Sequence, residues 1–227
     1  MDLKEYERLL YGDLNGKFEN FKNLLLEYNN KFNLTAITDE NDIYIKHFLD
    51  CVAGDMFFEK GASVVEIGSG GGFPSIPLKL IRDDLKFTLV ESTGKKCGYL
   101  QTVVDNFKFS GVQVVNERAE VLGRDKKYRE KFDACTARAV ARLNTLAEYC
   151  LPFVRVGGRF IAYKGDCPDE IKEAEKALNV LGGEIEKTEK YELTNGEKRT
   201  LVVVKKVKRT PEKYPRGQGR ERKSPII

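Results

Sequence analysis

Nowhere in the 227-residue chain does an apolar run approach the roughly 18 residues that cross a bilayer, which excludes a membrane-spanning helix. The opening, Met1-Asp-Leu-Lys-Glu-Tyr-Glu-Arg8, lacks the basic-then-apolar layout of a secretory signal. Cysteine is sparse. The five, at 51, 97, 135, 150 and 167, are odd in number and include no Cys-x-x-Cys pair, which argues against a zinc or thiol-redox framework. They are expected to be reduced core thiols of a soluble, cytoplasmic protein that holds no metal. Histidine occurs once, so an imidazole acid-base role would fall on His47. No internal repeat or low-complexity tract precedes the C-terminal segment. The length suits one α/β domain with a modest extension, and such a chain buries a full core without staples.

The net charge of +4 is unevenly spread. From residue 205 to the end there are nine basic residues (Lys205, Lys206, Lys208, Arg209, Lys213, Arg216, Arg220, Arg222, Lys223) against two acids, Glu212 and Glu221. The remaining 204 residues are net acidic. An acidic body with a basic tail predicts a polyanionic partner, the alternative being a solubilising tail. Prolines at 211, 215 and 225 and glycines at 217 and 219 predict that this tail is irregular.

The most informative stretch is Val64-Val-Glu-Ile-Gly-Ser-Gly-Gly-Gly-Phe73, followed by Leu89-Val-Glu91. It reads as a buried strand, a glycine turn, and a partner strand ending in an acid that can reach a ribose. A dinucleotide fingerprint needs Gly-x-Gly-x-x-Gly, and its third glycine would fall at 73, which is Phe. The pattern here is Glu66-x-Gly68-x-Gly70-x-Gly72, which resembles motif I of class I S-adenosylmethionine-dependent methyltransferases. Gly68, Ser69, Gly70 and Gly72 are therefore candidates to pass along the cofactor, and Glu91 to accept hydrogen bonds from its ribose hydroxyls. A bare tight turn is the alternative.

Residues 1–58 carry helical periodicity, with Phe18, Phe21, Leu24, Leu25 and Tyr28 on one face, and Asp39 can cap a helix through Ile43, Ile45, Phe48, Leu49 and Val52. Beyond residue 63, short apolar runs alternate with helical stretches, the signature of parallel strands buried on both faces. Strands are predicted near 63–67, 86–90, 112–115, 132–136, 158–163, 184–192 and 199–207, with helices near 74–82, 93–108, 142–152 and 168–181. Thr194-Asn-Gly-Glu197 is a strong hairpin signal, so the last strand should run antiparallel. The expectation is a seven-stranded, doubly wound α/β sheet over 59–207, a helical extension over 1–58 and a basic tail over 208–227.

Further segments coincide with one family. Asn33-Leu-Thr-Ala-Ile, His47-Phe-Leu-Asp50, Gly68-Ser-Gly-Gly-Gly-Phe-Pro-Ser-Ile-Pro-Leu78, Ala119-Glu120, Thr136-Ala-Arg-Ala-Val-Ala141, Tyr163-Lys-Gly165 and Tyr214-Pro-Arg-Gly-Gln-Gly219 closely resemble the small-subunit ribosomal RNA guanine-N7 methyltransferases, also called glucose-inhibited division protein B. The resemblance implies transfer of a methyl group from S-adenosylmethionine to guanine N7 in the 530-loop region of bacterial 16S rRNA; the chain is separately expected to be a monomer. It carries cofactor contacts onto Gly68, Phe73, Ala119, Glu120 and Arg138. Each has a plainer reading: Phe73 as a core aromatic, Glu120 as a first-turn acid, Arg138 as a helix cap or RNA-phosphate ligand. Lys164, Lys205, Lys206, Lys208, Arg209, Arg216, Arg220, Arg222 and Lys223 are the candidate RNA contacts. On that reading the tail engages phosphates while the pocket selects the base, and removal of everything after Val204 should spare cofactor binding.

Missing motifs narrow the chemistry. After the fourth predicted strand there is no Asn-Pro-Pro-Tyr or Asp-Pro-Pro-Tyr tetrad, which argues against attack by an exocyclic amine. Nor is there a Pro-Cys nucleophile for pyrimidine C5 chemistry. Guanine N7 carries a free lone pair and no proton, so its methylation needs positioning rather than a base. No residue is assigned as catalytic with certainty; Asn33 and Arg138 are positioning candidates. His47 is open to two readings, an acid-base group or a structural partner of the helix around Asp50. Two rival functions are a nicotinamide-dependent oxidoreductase and a ribosome-assembly factor that has kept the fold without its catalysis.

Overall fold

The structure, a computed structural model, describes residues 3–227. Two helices, α1 (Leu3–Tyr11) and α2 (Asn15–Asn29), lead into a continuous helical run in which α3 (Glu40–Asp42) and α4 (Asp50–Val52) flank a π-helical stretch, Ile43–Leu49. The Asp39 carboxylate caps that run by accepting from Asp42 N at 2.9 Å. The sheet strands are β1 (Ser63–Ile67), β2 (Lys86–Glu91), β3 (Val112–Asn116), β4 (Phe132–Arg138), β5 (Val154–Lys164), β6 (Gly183–Glu192) and β7 (Lys198–Lys206). Between and after them lie α5 (Ser75–Ile81), α6 (Gly94–Phe107), α7 (Ala119–Leu122), α8 (Leu143–Cys150), α9 (Pro168–Leu181) and α10 (Arg220–Lys223).

Strand order is β3-β2-β1-β4-β5-β7-β6, with β7 antiparallel to both neighbours. This is the doubly wound sheet that the sequence predicts, down to the antiparallel last strand. The order reverses between β1 and β4, and the crevice outside the carboxyl ends at such a reversal is where open α/β sheets bind ligands.

Period-2 alternation sorts the strands' side chains onto two cores. Val64, Phe87, Leu89, Ala134, Ile161 and Val203 face a core shared with Phe18, Phe21, Leu25 and Phe48 of the N-terminal helices. Val65, Ile67, Val90, Cys135, Phe160, Val202 and Val204 face the other, which α8 and α9 cover through Leu146 and Leu178. The N-terminal helices are thus one layer of the sheet's own core, cemented by Phe18 and Phe21 against Phe48 (5.1 and 5.5 Å between centroids) and Tyr28 against Tyr99 (5.3 Å). All five cysteines are buried and unpaired. Among the described residues no helix is long and apolar enough to cross a membrane, and no cluster of His, Cys, Asp and Glu is arranged to hold a metal.

One expected RNA contact is corrected here. Lys206 is fully buried: its Nζ donates to Leu151 O at 2.7 Å and to Thr210 Oγ1, with Glu130 Oε1 at 3.5 Å. It has the parity of Val202 and Val204, so the pleat turns it into the second core, and burial pulls its pKa down to about 8. Lys206→Ala should therefore lower unfolding stability by about 1–3 kcal/mol, since it strands a buried carbonyl acceptor. Urea denaturation checks this; an unshifted midpoint would refute the buried role.

Candidate functional site

The glycine turn is built against the end of β2. Gly68 N and Ser69 N both donate to Val90 O, at 2.9 and 3.2 Å. The turn then closes on itself through Gly72 N to Ser69 O at 2.6 Å. Gly68 and Gly72 have φ of +71° and +89°, and a Cβ on them would lie 2.7 Å from a Val140 methyl and 2.6 Å from Ile76 Cγ1. Glycine is required at both for backbone conformation and for space. Glu91 locks the turn: its carboxylate accepts from Gly70 N at 3.1 Å and from Thr93 N at 2.8 Å.

This turn opens on a cavity of about 320 Å³ at the carboxyl ends of β1 to β3. Ile67, Gly68, Val90 and Ser92 form one part of its lining, and Glu117, Arg118, Ala119 and Glu120 another. Val140, Tyr149, Gly219 and Arg222 complete it. Glu120 lies in the first turn of α7 yet also faces this space, so the sequence alternatives of helix acid and pocket acid are both true of it.

Beneath the turn, Glu66 is fully buried and neither carboxylate oxygen has a hydrogen-bond partner. Burial pushes its pKa up to about 8, against the opposing pull of the Arg138 charge. At neutral pH the group is mostly a neutral acid.

A second cavity, about 390 Å³, lies beyond β4 and β5 and is lined by Lys46, His47, Asp50, Arg138, Lys164 and Arg199, among others. Arg138 organises it. Its Nη1 donates to Asp50 Oδ2 and to Lys46 O, both at 2.9 Å, and its Nη2 to His47 Nδ1 at 2.5 Å. Asp50 Oδ1 accepts from the Tyr191 hydroxyl at 2.7 Å. With Nδ1 an acceptor, His47 carries its proton on Nε2, which donates to Thr35 Oγ1 at 2.8 Å. The imidazole stacks on Phe73 at 4.3 Å and the guanidinium lies 5.0 Å over the same ring. Lys164 donates to Ala141 O at 2.7 Å and pairs with Glu170 at 2.6 Å. The segment between the two cavities is short and strained: Ala139, at φ +57°, lines the second, and Val140 lines the first.

The sequence candidates are therefore divided by the sheet. Gly68, Ala119 and Glu120 line the first cavity, while Ser69, Gly70, Gly72 and Glu91 frame the turn that opens on it. Arg138 does not line the first cavity. It has the parity of Ala134, which places it on the face of the N-terminal layer, opposite Ile67. Phe73 is buried in that layer's aromatic cluster, 5.6 Å from Phe21, rather than forming a wall of the first cavity. His47 makes the contacts expected of the structural reading, to Arg138 and Thr35, and burial and the adjacent Arg138 depress its pKa to about 3. Asn33 is exposed on the loop that carries Thr35.

The C-terminal segment departs most from expectation. It is irregular as predicted, apart from α10, but it is docked. Arg129 donates to the carbonyl oxygens of Thr210, Pro211 and Tyr214, and Arg124 to those of Pro215 and Arg216. Arg216 is bound to the buried Glu148 carboxylate through Nε and Nη2, at 3.0 and 2.7 Å, and its role is accordingly corrected from RNA contact to anchor. Because Gly219 and Arg222 line the first cavity, removal of everything after Val204 would open that cavity rather than spare it. Nothing in local sequence periodicity marks this docking; a cue lay in the aromatic Tyr214 within an otherwise basic stretch.

Two pH effects follow. For Glu66, the unfolded chain is ionised above about 4.5 while the native one stays protonated to about 8, so stability falls as pH rises through that window. The stability of Glu66→Gln minus that of the parent should grow across the window by up to about 1.4 kcal/mol per pH unit, and a flat urea-midpoint difference would refute it. For His47, the unfolded chain takes up a proton below about 6.5 and the native one only near 3, so its contribution is lost as pH falls between them. Nitrogen NMR of this single histidine should show a neutral ring protonated on Nε2 down to pH ~4; titration near 6.5 would refute the network.

Comparison with known proteins agrees with this geometry. A family model described as rRNA small subunit methyltransferase G (GidB) matches residues 14–202. The ribosomal RNA small subunit methyltransferase G of Lactobacillus acidophilus is 47% identical over 217 residues, covering 92% of this chain and 90% of that protein. That of Lactobacillus helveticus is 44% identical and covers 100% and 97%. Among solved structures, a SAM dependent methyltransferase from Aquifex aeolicus superposes with a TM-score of 0.54 at 14% identity, over 73% of this chain and 93% of that one, a likeness of fold. On the family match and the extent of these identities, the chain belongs to the rRNA small subunit methyltransferase G family.

Proposed function

We propose that this protein transfers a methyl group from S-adenosylmethionine to guanine N7 in the 530-loop region of bacterial 16S rRNA, acting as a cytoplasmic monomer without a metal. The observation that carries the reading is the glycine turn braced by Glu91 and opening on the cavity at the ends of β1 to β3. The residues present fit the cofactor. The two crowded glycine positions let backbone rather than side chain meet it, and the Glu91 carboxylate, with two of about four acceptor sites engaged, keeps capacity for ribose hydroxyls. Gly68, Ser69, Gly70 and Gly72 would follow the amino-acid and ribose portions, and Ala119 and Glu120 the adenine edge. Bound there, the cofactor supplies an electrophilic sulfonium methyl.

The second cavity suits an acceptor that needs no deprotonation. His47 is held neutral with its Nδ1 lone pair taken by Arg138, Asp50 is bound by Arg138 and Tyr191, and Glu170 by Lys164. None of these groups is free to remove a proton, which fits a ring nitrogen that already presents a lone pair. What this wall of the protein does is hold a base in place. Lys164 and Arg199 bring positive charge to the mouth where a phosphodiester backbone would enter. Asn33, exposed on the adjoining loop, offers both an amide donor and an acceptor to a base edge.

Glu91→Ala should raise the dissociation constant for S-adenosylhomocysteine about tenfold or more, the weight of one charge-assisted hydrogen-bonded contact. Isothermal titration measures it, and an unchanged constant would remove the ribose assignment. The acceptor is tested by incubating the protein with labelled cofactor and unmodified small ribosomal subunits and mapping the product by N7-specific chain cleavage. Label on any other atom would refute the N7 reading.

A further inference from the structure

The C-terminal segment has two faces of opposite character. Toward the domain, Tyr214 and Glu221 are buried, Arg216 enters the Glu148 carboxylate, and Thr145 Oγ1 donates to Glu221 O at 3.1 Å. Toward solvent, Lys208, Arg209, Lys213, Arg220 and Lys223 are all exposed, with Glu212 the one exposed acid among them. The inner face reaches the first cavity, where Gly219 and Arg222 are part of the lining, and Arg222 Nη2 donates to Val140 O at 3.1 Å on the strained wall between the two cavities. The seating is imperfect. One Glu221 carboxylate oxygen accepts from Gly217 N, but the other is buried without a partner. A buried acceptor of that kind opposes closure.

We propose that residues 208–224 form a clasp whose inner face, through Arg222, is part of the methyl-donor pocket, whose outer cations bind rRNA phosphates, and which thereby couples the two ligands. This rests on the donor-pocket reading above and adds to it a contact residue and a linkage. The physics is that of a seated and a released state. Cofactor touching Arg222 and phosphate touching the outer cations each favour the seated state, so each ligand tightens the other by the same factor. Had the segment been a free tail, RNA affinity and cofactor affinity would be independent. Coupling then travels through one covalent strip anchored at Glu148, with no rearrangement of the sheet required.

The test is isothermal titration of S-adenosylhomocysteine into the full chain, with and without saturating protein-free 16S rRNA. The expected result is a dissociation constant about fivefold or more lower with RNA, within the usual range of coupling. Arg222→Ala should weaken cofactor binding at least about fivefold with its thermal midpoint unmoved, because that side chain is exposed. Replacing Arg209, Lys213, Arg220 and Lys223 together by Gln should lower RNA affinity, flatten its log-log salt slope by about 3, and abolish the coupling. Arg222→Ala that binds cofactor like the parent, or RNA that leaves the cofactor constant unchanged, overturns the clasp. A parent chain that binds no cofactor overturns the donor-pocket reading itself, an outcome separable from both.

Discussion

The arrangement of this molecule depends on one guanidinium. Arg138 stands at the carboxyl end of the central strand β4 and binds Asp50, His47 and the Lys46 carbonyl, all from the helical run that precedes the sheet in sequence. Through Asp50 it reaches Tyr191 on the edge strand β6, and through His47 it reaches Thr35. A buried cation is costly unless its partners are well placed, and here every contact comes from backbone or a buried side chain. The π-helical stretch Ile43–Leu49 is what brings both His47 and Asp50 to it, and π-turns of this kind concentrate at functional sites. Removing one partner would leave the rest uncompensated, which makes the N-terminal layer and the β4 edge a single rigid unit.

Rigidity at that point matters because Ala139 and Val140 follow directly. They are the partition between the two cavities, and Ala139 keeps a left-handed conformation that a loosely held loop would relax. A reaction whose acceptor brings its own lone pair depends on distance and angle more than on proton traffic. On the proposed reading a stiff partition between the two cavities would supply that, and the hydrogen bonds His47 makes to Arg138 and Thr35 add to the stiffness.

Most strands were readable in the sequence because they are short apolar runs bounded by glycine or polar residues, and the Asn195-Gly196 turn announced the antiparallel pair of β7 and the largely charged β6. β5 begins at Val154, four residues before the expected 158, because a Gly157-Gly158 pair looks in sequence like a break between elements. In the structure those glycines sit inside the strand at a register shift, where a Cβ on Gly158 would fall 2.5 Å from Asp133 O. Helix α7, four residues long, is too short to show periodicity. The glycine turn and its acid were legible from spacing alone. The partition of the other site residues was not, although strand parity held the clue: counting from Ala134 puts Arg138 on the N-terminal face, and counting from Val204 buries Lys206. Composition registers charge; only register says where a charge points.

The same distinction governs the C-terminal segment. Nine cations on a stretch rich in proline and glycine describe equally well a loose polyelectrolyte and a folded strip, since both have the same net charge. What separates them is the fate of the acids. Glu221, from within the stretch, and Glu148, from α8, are both buried, and a buried carboxylate beside a cation is tolerable only while the partner stays in place. Glu148 therefore acts as a latch: release of Arg216 would leave its charge in a low-dielectric site. The cations that have no such inward partner, Lys213 and Lys223 among them, are thereby displayed at fixed positions beside the donor cavity instead of being averaged over a mobile chain. A fixed array of cations would bind a polyanion without first losing the conformational freedom of the strip that carries it, which is the physical difference between a docked strip and a loose tail of the same charge.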